Sequence, residues 1–196
     1  MGSGKGARIA IVSVATGSIV TTLSTIPAND ILSLAGAQDA LRLYYTSNGF
    51  VWEADVGGSP PRRICPGNEV AVSPDGRRLL VQRNSADGNH LVWVAASGNP
   101  VEEPIAIHDT LEVVMGGANL SPTAVGKDGR IAVRVIRAGS WYAPAALLDP
   151  RTGRFDVLKP GFTVDAAQPG WAPDGSVVSW GGGIQSSIWR FRTVDR

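Results

Sequence analysis

The sequence predicts an all-β fold, a β-propeller of four-stranded antiparallel blades, with about four to five blades or blade fragments in the chain. Three observations predict it. A hairpin with an Asp-Gly turn recurs, a tryptophan-bearing strand recurs in step with it, and glycine and proline are abundant, at 24 and 13 of 196 residues. Recurrence at intervals of tens of residues is typical of repeat architectures, and a high density of turns is typical of all-β proteins.

The first repeated motif is a short apolar strand, a turn containing Asp-Gly and a second strand. It occupies residues 70–81 and 171–178, with a looser copy at 123–133. A tight hairpin turn needs a residue with positive φ, which glycine adopts without steric cost, and an aspartate in the turn accepts hydrogen bonds from nearby amides. We therefore interpret six residues as structural turn formers and not as a catalytic carboxylate cluster: Asp75, Gly76, Asp128, Gly129, Asp174 and Gly175.

The second repeated motif is an apolar strand followed by a glycine turn. Its turn glycines are separated by 41, 40 and 55 residues, and they are Gly17, Gly58, Gly98 and Gly153. A period of about 40 to 45 residues with four strands per unit is the signature of propeller blades. The third strands of three units carry a tryptophan whose wide ring we expect to fill the space between blades, namely Trp52, Trp93 and Trp189.

These repeats divide the single domain, residues 1–196, into five blade units. The first and last units are partial, and the boundaries are about 8–24, 31–65, 69–107, 120–158 and 169–192. Because the partial units do not add up to a closed ring, we expect the chain to be the C-terminal part of a larger propeller. Unpaired sheet edges invite association, so we also expect self-association through the open blades.

The alternation of a Ser-Pro-Asp-Gly hairpin at 73–76, a Leu-Val-Trp strand at 91–93 and a Gly-rich turn resembles the TolB-like, WD-repeat-like β-propeller repeats of bacteria. The unit at 31–65 departs from the pattern, since Gln38-Asp39-Ala40 replaces Pro-Asp-Gly there. The resemblance implies a propeller that serves as a scaffold, sensor or accessory module. It implies a periplasmic location for a scaffold, and a cytoplasmic or extracytoplasmic one for the sensor of a signalling protein.

Charge and hydropathy exclude several classes of partner. The formal net charge is +1, from 18 Lys and Arg against 17 Asp and Glu, so no global field attracts nucleic acid. No apolar run approaches the ~20 residues that span a bilayer, and we therefore predict no membrane insertion. The single cysteine, Cys65, permits no internal disulfide and is expected to be a small buried side chain.

The sequence contains no catalytic motif. A Gly-x-Ser-x-Gly nucleophile elbow, His-Glu-x-x-His, Cys-x-x-Cys and a phosphate-binding loop are all missing. The two histidines, His90 and His108, do not have metal-ligand spacing, and only His108 with Asp109 is retained as a candidate ligand pair. We therefore predict no catalytic residue, no metal and no cofactor.

The candidate partner-binding residues are Trp141 and Tyr142, together with His108 and Asp109. Residues 138–144 put two aromatic side chains with polar atoms in a link between strands, where other units have shorter polar turns. Such aromatic residues are enriched at recognition surfaces. The alternative is that Trp141 and Tyr142 pack between blades, like the tryptophans of the third strands.

Two functions from different classes fit these features. The first is a non-catalytic module that binds a protein or a small ligand, either as a TolB-like scaffold or as the sensor part of a signalling protein such as a bacterial Ser/Thr kinase or a transcriptional regulator. The second is the propeller domain of a peptidase or glycosidase whose catalytic domain lies outside this chain. A kinase, DNA-binding or signal-peptide segment upstream favours the first, and a hydrolase domain favours the second.

Overall fold

The computed structural model describes residues 8–23, 30–37, 39, 41–97, 101–114, 120–160 and 165–182. All regular structure in these residues is β-strand, which confirms the predicted all-β class. None of them forms a helix able to cross a membrane. The strands are β1 (Ile9–Val12), β2 (Ile19–Leu23), β3 (Ser33–Gly36), β4 (Arg42–Ser47), β5 (Phe50–Asp55), β6 (Arg62–Pro66), β7 (Glu69–Val72), β8 (Arg78–Ser85), β9 (Gly88–Ala95), β10 (Glu102–Pro104), β11 (Leu111–Val113), β12 (Ile131–Arg137), β13 (Ala145–Asp149), β14 (Arg154–Val157), β15 (Asp165–Trp171) and β16 (Val177–Gly182).

The described strands form five antiparallel sheets, in which strands that follow each other in sequence are neighbours. Sheet I is β1-β2, sheet II is β3 to β6, sheet III is β7 to β10, sheet IV is β11 to β14 and sheet V is β15-β16. Successive four-stranded antiparallel sheets are the blades of a propeller. The predicted blade architecture is therefore confirmed.

The hairpins that open sheets III, IV and V have similar turns. In sheet III the Ser73 amide donates to the Arg78 carbonyl and the Gly76 amide donates to the Ser73 carbonyl, over 2.9 and 2.8 Å. Gly76 has a φ of +69°, and Gly129 and Gly175 both have +85°. Residues with a Cβ atom rarely adopt this conformation, and glycine therefore occupies it.

We call the first strand of each sheet its inner strand. The inner strand of sheet IV begins earlier than the predicted unit 120–158. It begins at Leu111 with β11, which pairs with the far end of β12, whereas Val125 contributes an isolated bridge to Ile131. Between the two pieces lies Pro122, which has no amide to donate to a ladder. The repeat pattern marks only the strand directly before the turn, and so it misses the first half of this inner strand.

Sheet V also begins earlier than the predicted unit 169–192. β15 starts at Asp165 and continues through an irregularity between Ala167 and Gly170, where Gln168 has a φ of +47°. Such a bulge adds a residue to one strand and increases its twist, which obscures the alternating pattern in the sequence. The predicted third strand of this unit, with Trp189, lies outside the described residues.

Successive sheets pack face to face through apolar clusters. The first cluster joins sheets I and II, the second joins sheets II and III, and the third joins sheets III and IV. Their central members are Ile9, Leu23 and Tyr45 in the first, Tyr44, Val70 and Leu79 in the second, and Leu80, Trp93, Ile131 and Leu148 in the third. Burial of each large side chain contributes about 1.5–3 kcal/mol, so these contacts hold the sheets in series.

Hydrogen bonds also join neighbouring sheets at or near their inner strands. The bonded pairs, from sheet II to sheet V, are Ser33 with Val70, Glu69 with Leu120, and Thr123 with Trp171. The Glu69 carboxylate is buried and accepts the Leu120 amide. These directional bonds align the ends of the inner strands, and hence the turns that follow them.

Candidate functional site

The turns that follow the inner strands of sheets III, IV and V meet around one open groove, which we call the turn groove. It has a volume of about 520 Å³, and Gly36 from the end of β3 in sheet II also lines it. The side chains important for its chemistry are Pro74, Pro122, Lys127, Arg130, Trp171 and Pro173. Antiparallel strands place these turns at the same end of each sheet, so residues about 50 apart in sequence become neighbours.

Trp171 forms a wall of the turn groove because a glycine lies directly against it. A Cβ atom added to Gly126 would lie 2.7 Å from Trp171 Cε2 and 2.8 Å from Asp128 Oδ1, too close for either neighbour. The guanidinium carbon of Arg130 lies 5.5 Å from the centroid of the Trp171 ring, within cation–π distance. The indole therefore lies close to the turn backbone at Gly126 and within cation–π distance of Arg130.

An ion pair fixes the charges on one side of the turn groove. Arg130 Nε donates to Asp128 Oδ2 over 2.6 Å, and the Arg130 amide donates to Asp128 Oδ1 over 3.0 Å. Partial burial acts to raise the pKa of Asp128, but hydrogen bonds, chiefly from Arg130, together with the positive charge of Arg130 hold the pKa below its ordinary value. Lys127 is exposed, and no ion pair joins it to any residue that the structure describes. Its ammonium is available to a carboxylate of a partner.

The structure places Trp141 and Tyr142 at the opposite end of sheet IV. They lie in the link between β12 and β13, whereas the turn that carries Asp128 precedes β12, and the seven residues of that strand span about 20 Å. Trp141 is 70% exposed, so it does not pack between sheets as Trp93 does. The Trp141 and Tyr142 rings meet edge to face, with centroids 6.5 Å apart.

Tyr142 lines a second, smaller cavity, which we call the aromatic cleft. The cavity has a volume of about 320 Å³ and lies between sheets IV and V. Leu158, Val177 and Trp180 form apolar walls, and Ser179 supplies a polar group. The Ser179 hydroxyl already donates to the Ala167 carbonyl over 2.9 Å, so the cleft presents mainly apolar surface.

His108 and Asp109 do not join the two aromatic residues at one cavity within the described residues. Both carboxylate oxygens of Asp109 accept backbone amides: Oδ1 from Leu111 and Oδ2 from Phe155, over 3.2 and 3.1 Å. The Phe155 amide is the main cause of the lowered pKa of Asp109. His108 is exposed, and its backbone amide donates to the Gly153 carbonyl over 2.8 Å. Asp109 thus ties the link before β11 to β14.

No metal-binding cluster is found in the part of the chain that the structure describes. The turn aspartates each accept hydrogen bonds from their own turn, Asp75 from the Ser73 hydroxyl and the Arg77 amide, and Asp174 from Ser176. These bonds hold the pKa of both carboxyls below the ordinary value. The thiol of Cys65 is buried, which raises its pKa and makes it a packing residue.

Trp171, Lys127 and Arg130 were not predicted as site residues from the sequence, although one feature of the sequence marks Trp171 as unusual. Trp171 stands directly before an Ala-Pro-Asp-Gly turn, where the corresponding residues of the other hairpins are Val72 and Val125. A large aromatic side chain in a position otherwise held by valine indicates a different environment, but only the assembled turns show that this environment is a groove.

No protein-family model matches the sequence, and no curated protein matches it. Solved structures do match its fold. TolB from Acinetobacter baumannii is 19% identical, with a TM-score of 0.60 over 84% of this chain and 40% of that chain. Oligogalacturonate lyase from Vibrio parahaemolyticus is 15% identical, with a TM-score of 0.54 over 93% of this chain and 54% of that chain.

A puromycin hydrolase is also similar, at 18% identity and a TM-score of 0.55, over 79% of this chain and 25% of that chain. At these identities the likeness extends to the fold alone. The structural comparison supports the predicted TolB-like propeller fold. The chain spans about two fifths of the TolB chain and about half of the lyase.

Proposed function

We propose that this chain is a non-catalytic propeller module that binds a peptide segment of a partner protein in the turn groove. The observation that carries the proposal is the meeting of turns from three successive sheets around one open, partly apolar groove of about 520 Å³. Open grooves lined by prolines and an aromatic side chain suit an extended peptide, whose backbone needs flat apolar surface with a few polar contacts. Such a module acts either as a scaffold or as the sensor part of a signalling protein.

The chemistry of the groove favours an acidic peptide. Lys127 is exposed at the groove, and Arg130 lies over Trp171 while its charge is shared with Asp128. A partner carboxylate near Lys127 gains a charge-assisted hydrogen bond, and an apolar or aromatic residue next to it gains contact with Trp171. The proposed ligand therefore has an acidic residue beside an apolar one.

The proposal assigns no reaction to this chain. Its support is that the carboxylates around the turns accept hydrogen bonds from amides and have lowered pKa values, as for Asp75, Asp128 and Asp174. General acid catalysis near neutral pH needs a carboxyl with a raised pKa, and general base catalysis needs one that can reach a substrate. These groups are instead engaged in their own turns.

The test is selection of peptides from a random library displayed on phage, with the purified chain immobilised. We expect the selected peptides to be enriched in Asp and Glu. Their dissociation constants should increase about tenfold or more for Lys127→Glu, because the charge that attracts them is reversed, and change less than about twofold for the matched control Lys159→Glu. Peptides that bind Lys127→Glu as tightly as the unaltered chain would refute the proposal.

A second candidate is the propeller domain of a hydrolase, which the likeness to puromycin hydrolase favours. In that case the turn groove borders the active site of a separate catalytic domain. The sequence of the complete protein decides between the binding module and the hydrolase domain, since the hydrolase hypothesis requires a catalytic domain in the same polypeptide. A kinase, a DNA-binding segment or a secretion signal instead favours the binding module.

A further inference from the structure

Arg130 lines the turn groove with a guanidinium that the rest of the chain uses only in part. Its Nε donates to Asp128 Oδ2 over 2.6 Å, whereas Nη1 and Nη2 donate to no residue that the structure describes. Arg83 and Arg151 differ, because each also uses a terminal nitrogen in its bonds to a neighbouring carboxylate. The side chain of Arg130 is 40% exposed. Arg130 therefore retains unused donors at a position that a ligand can reach.

The turn of sheet IV restricts the position of this guanidinium. The Arg130 amide also donates to Asp128, over 3.0 Å, so that backbone and side chain are bonded to the same carboxylate. The guanidinium carbon lies 5.5 Å from the centroid of the Trp171 ring. Both contacts limit the rotamers of a long side chain before a ligand arrives, which reduces the entropy lost on binding. Asp128 and Trp171 are therefore positioning residues for Arg130.

The two cations of the turn groove differ in their chemistry. Lys127 and Arg130 are the two cationic side chains among the described residues that line it. At the position equivalent to Arg130, sheet III has Arg77, which does not line the groove, and sheet V has Ser176. An ammonium acts as a point charge, whereas the planar guanidinium can donate two parallel hydrogen bonds to both oxygens of one carboxylate. The two side chains are thus suited to two separate carboxylates.

We propose that Arg130 binds a second carboxylate of the peptide ligand through Nη1 and Nη2, so that the preferred ligand carries two acidic residues, one for Lys127 and one for Arg130. The inference rests on the proposed peptide-binding function and specifies its ligand. Because Asp128 occupies only Nε, the ligand does not have to displace an ion pair. Because the guanidinium lies within cation–π distance of Trp171, the acidic residue on Arg130 is next to the apolar residue that contacts the indole.

The test compares selections from one random phage-displayed peptide library on the unaltered chain and on Arg130→Gln. We expect peptides with two acidic residues from the unaltered chain, and peptides with one from Arg130→Gln, which retains Lys127. For the peptide most enriched on the unaltered chain, Arg130→Lys should raise the dissociation constant about tenfold or more, because an ammonium lacks the planar fork. The matched control Arg151→Lys alters another Asp-x-Arg turn of sheet IV, outside the turn groove, and should change the dissociation constant less than about twofold.

Replacement of each acidic residue of that peptide by its amide assigns the two carboxylates. On the unaltered chain, each replacement should weaken binding about tenfold or more. On Arg130→Gln, one replacement should cost less than about twofold, since its partner is already removed, while the other keeps its cost because it faces Lys127. The measurements on the unaltered chain need no altered protein, and far-UV circular dichroism matching the unaltered chain checks that the variants fold.

Two results would overturn the inference while leaving the proposed function intact. The selected peptides could lack a second acidic residue that contributes to binding, or Arg130→Lys could bind them as tightly as the unaltered chain, in both cases with Lys127→Glu still weakening binding. Binding that Lys127→Glu leaves unchanged would instead refute the proposed function itself. The two failures are therefore distinguishable.

Discussion

Gly153 is the position where a single methyl group should be most costly to the fold. It ends the turn between β13 and β14 with a φ of +67° and lies against the link that carries His108. A Cβ atom there would clash with the Ala106 carbonyl oxygen and lie 2.9 Å from the His108 amide nitrogen. Both atoms belong to the backbone, so they cannot move aside as a flexible side chain can.

The cost of Gly153→Ala has two parts. An L-residue in the left-handed region costs about 1–2 kcal/mol, and displacement of a packed backbone segment adds about 1–3 kcal/mol. Gly58→Ala is the matched control, because Gly58 has a φ of +89° in the equivalent turn of sheet II and its Cβ would meet nothing within 4 Å. The control should lose only the first part.

Urea unfolding followed by tryptophan fluorescence measures both variants against the unaltered chain. We expect the free energy of unfolding to fall by about 2–5 kcal/mol for Gly153→Ala and by about 1–2 kcal/mol for Gly58→Ala. Equal losses would show that the link at 106–108 does not lie against this turn. The contact described between that link and sheet IV would then be contradicted.

Three further predictions concern the turns, the acid stability and the aromatic link. Gly76→Val and Gly175→Val should each lower the free energy of unfolding by about 1 kcal/mol or more, and an unchanged urea midpoint in both would contradict the turn geometry. Because the pKa of Asp109 is lowered in the fold, its stabilisation is present above its unfolded pKa of about 3.9 and is lost as the pH falls through the folded pKa. Asp109→Asn should therefore lose less stability than the unaltered chain between about pH 5 and pH 2, and an equal loss argues against the bond to the Phe155 amide. Trp141→Ala combined with Tyr142→Ala should leave the affinity for the phage-selected peptides within about twofold. A loss of affinity of about tenfold or more would show that the peptides bind at the link 138–144, as predicted from the sequence.

The hairpin turns could be predicted from sequence because their cause is local. Asp75-Gly76 and Asp174-Gly175 combine an acceptor side chain with a residue that tolerates positive φ, and both properties belong to the residues themselves. The sheets built on these turns follow from the period of about 40 residues. The first half of the sheet IV inner strand, at Leu111–Val113, does not follow, because it pairs with β12 across an interruption of the repeat.

The candidate site could be predicted only in part. Trp141 and Tyr142 are recognisable as an unusual pair, and the structure places them at a surface. The turn groove depends on Pro74, Lys127 and Trp171, which lie about 50 residues apart and have no shared motif. Their meeting is a consequence of stacked sheets whose turns lie at one end, and a pattern search along the chain cannot register it.

Amide hydrogen exchange of the chain, with and without a groove-selected acidic peptide, tests the central claim most directly. We expect slower exchange in three separate turns at once, at 73–78, 126–130 and 172–176, with no change in the link at 138–144. These turns belong to different sheets, so joint protection requires a ligand that contacts all of them. Protection confined to 138–144, or none in the three turns at a saturating peptide concentration, would contradict it.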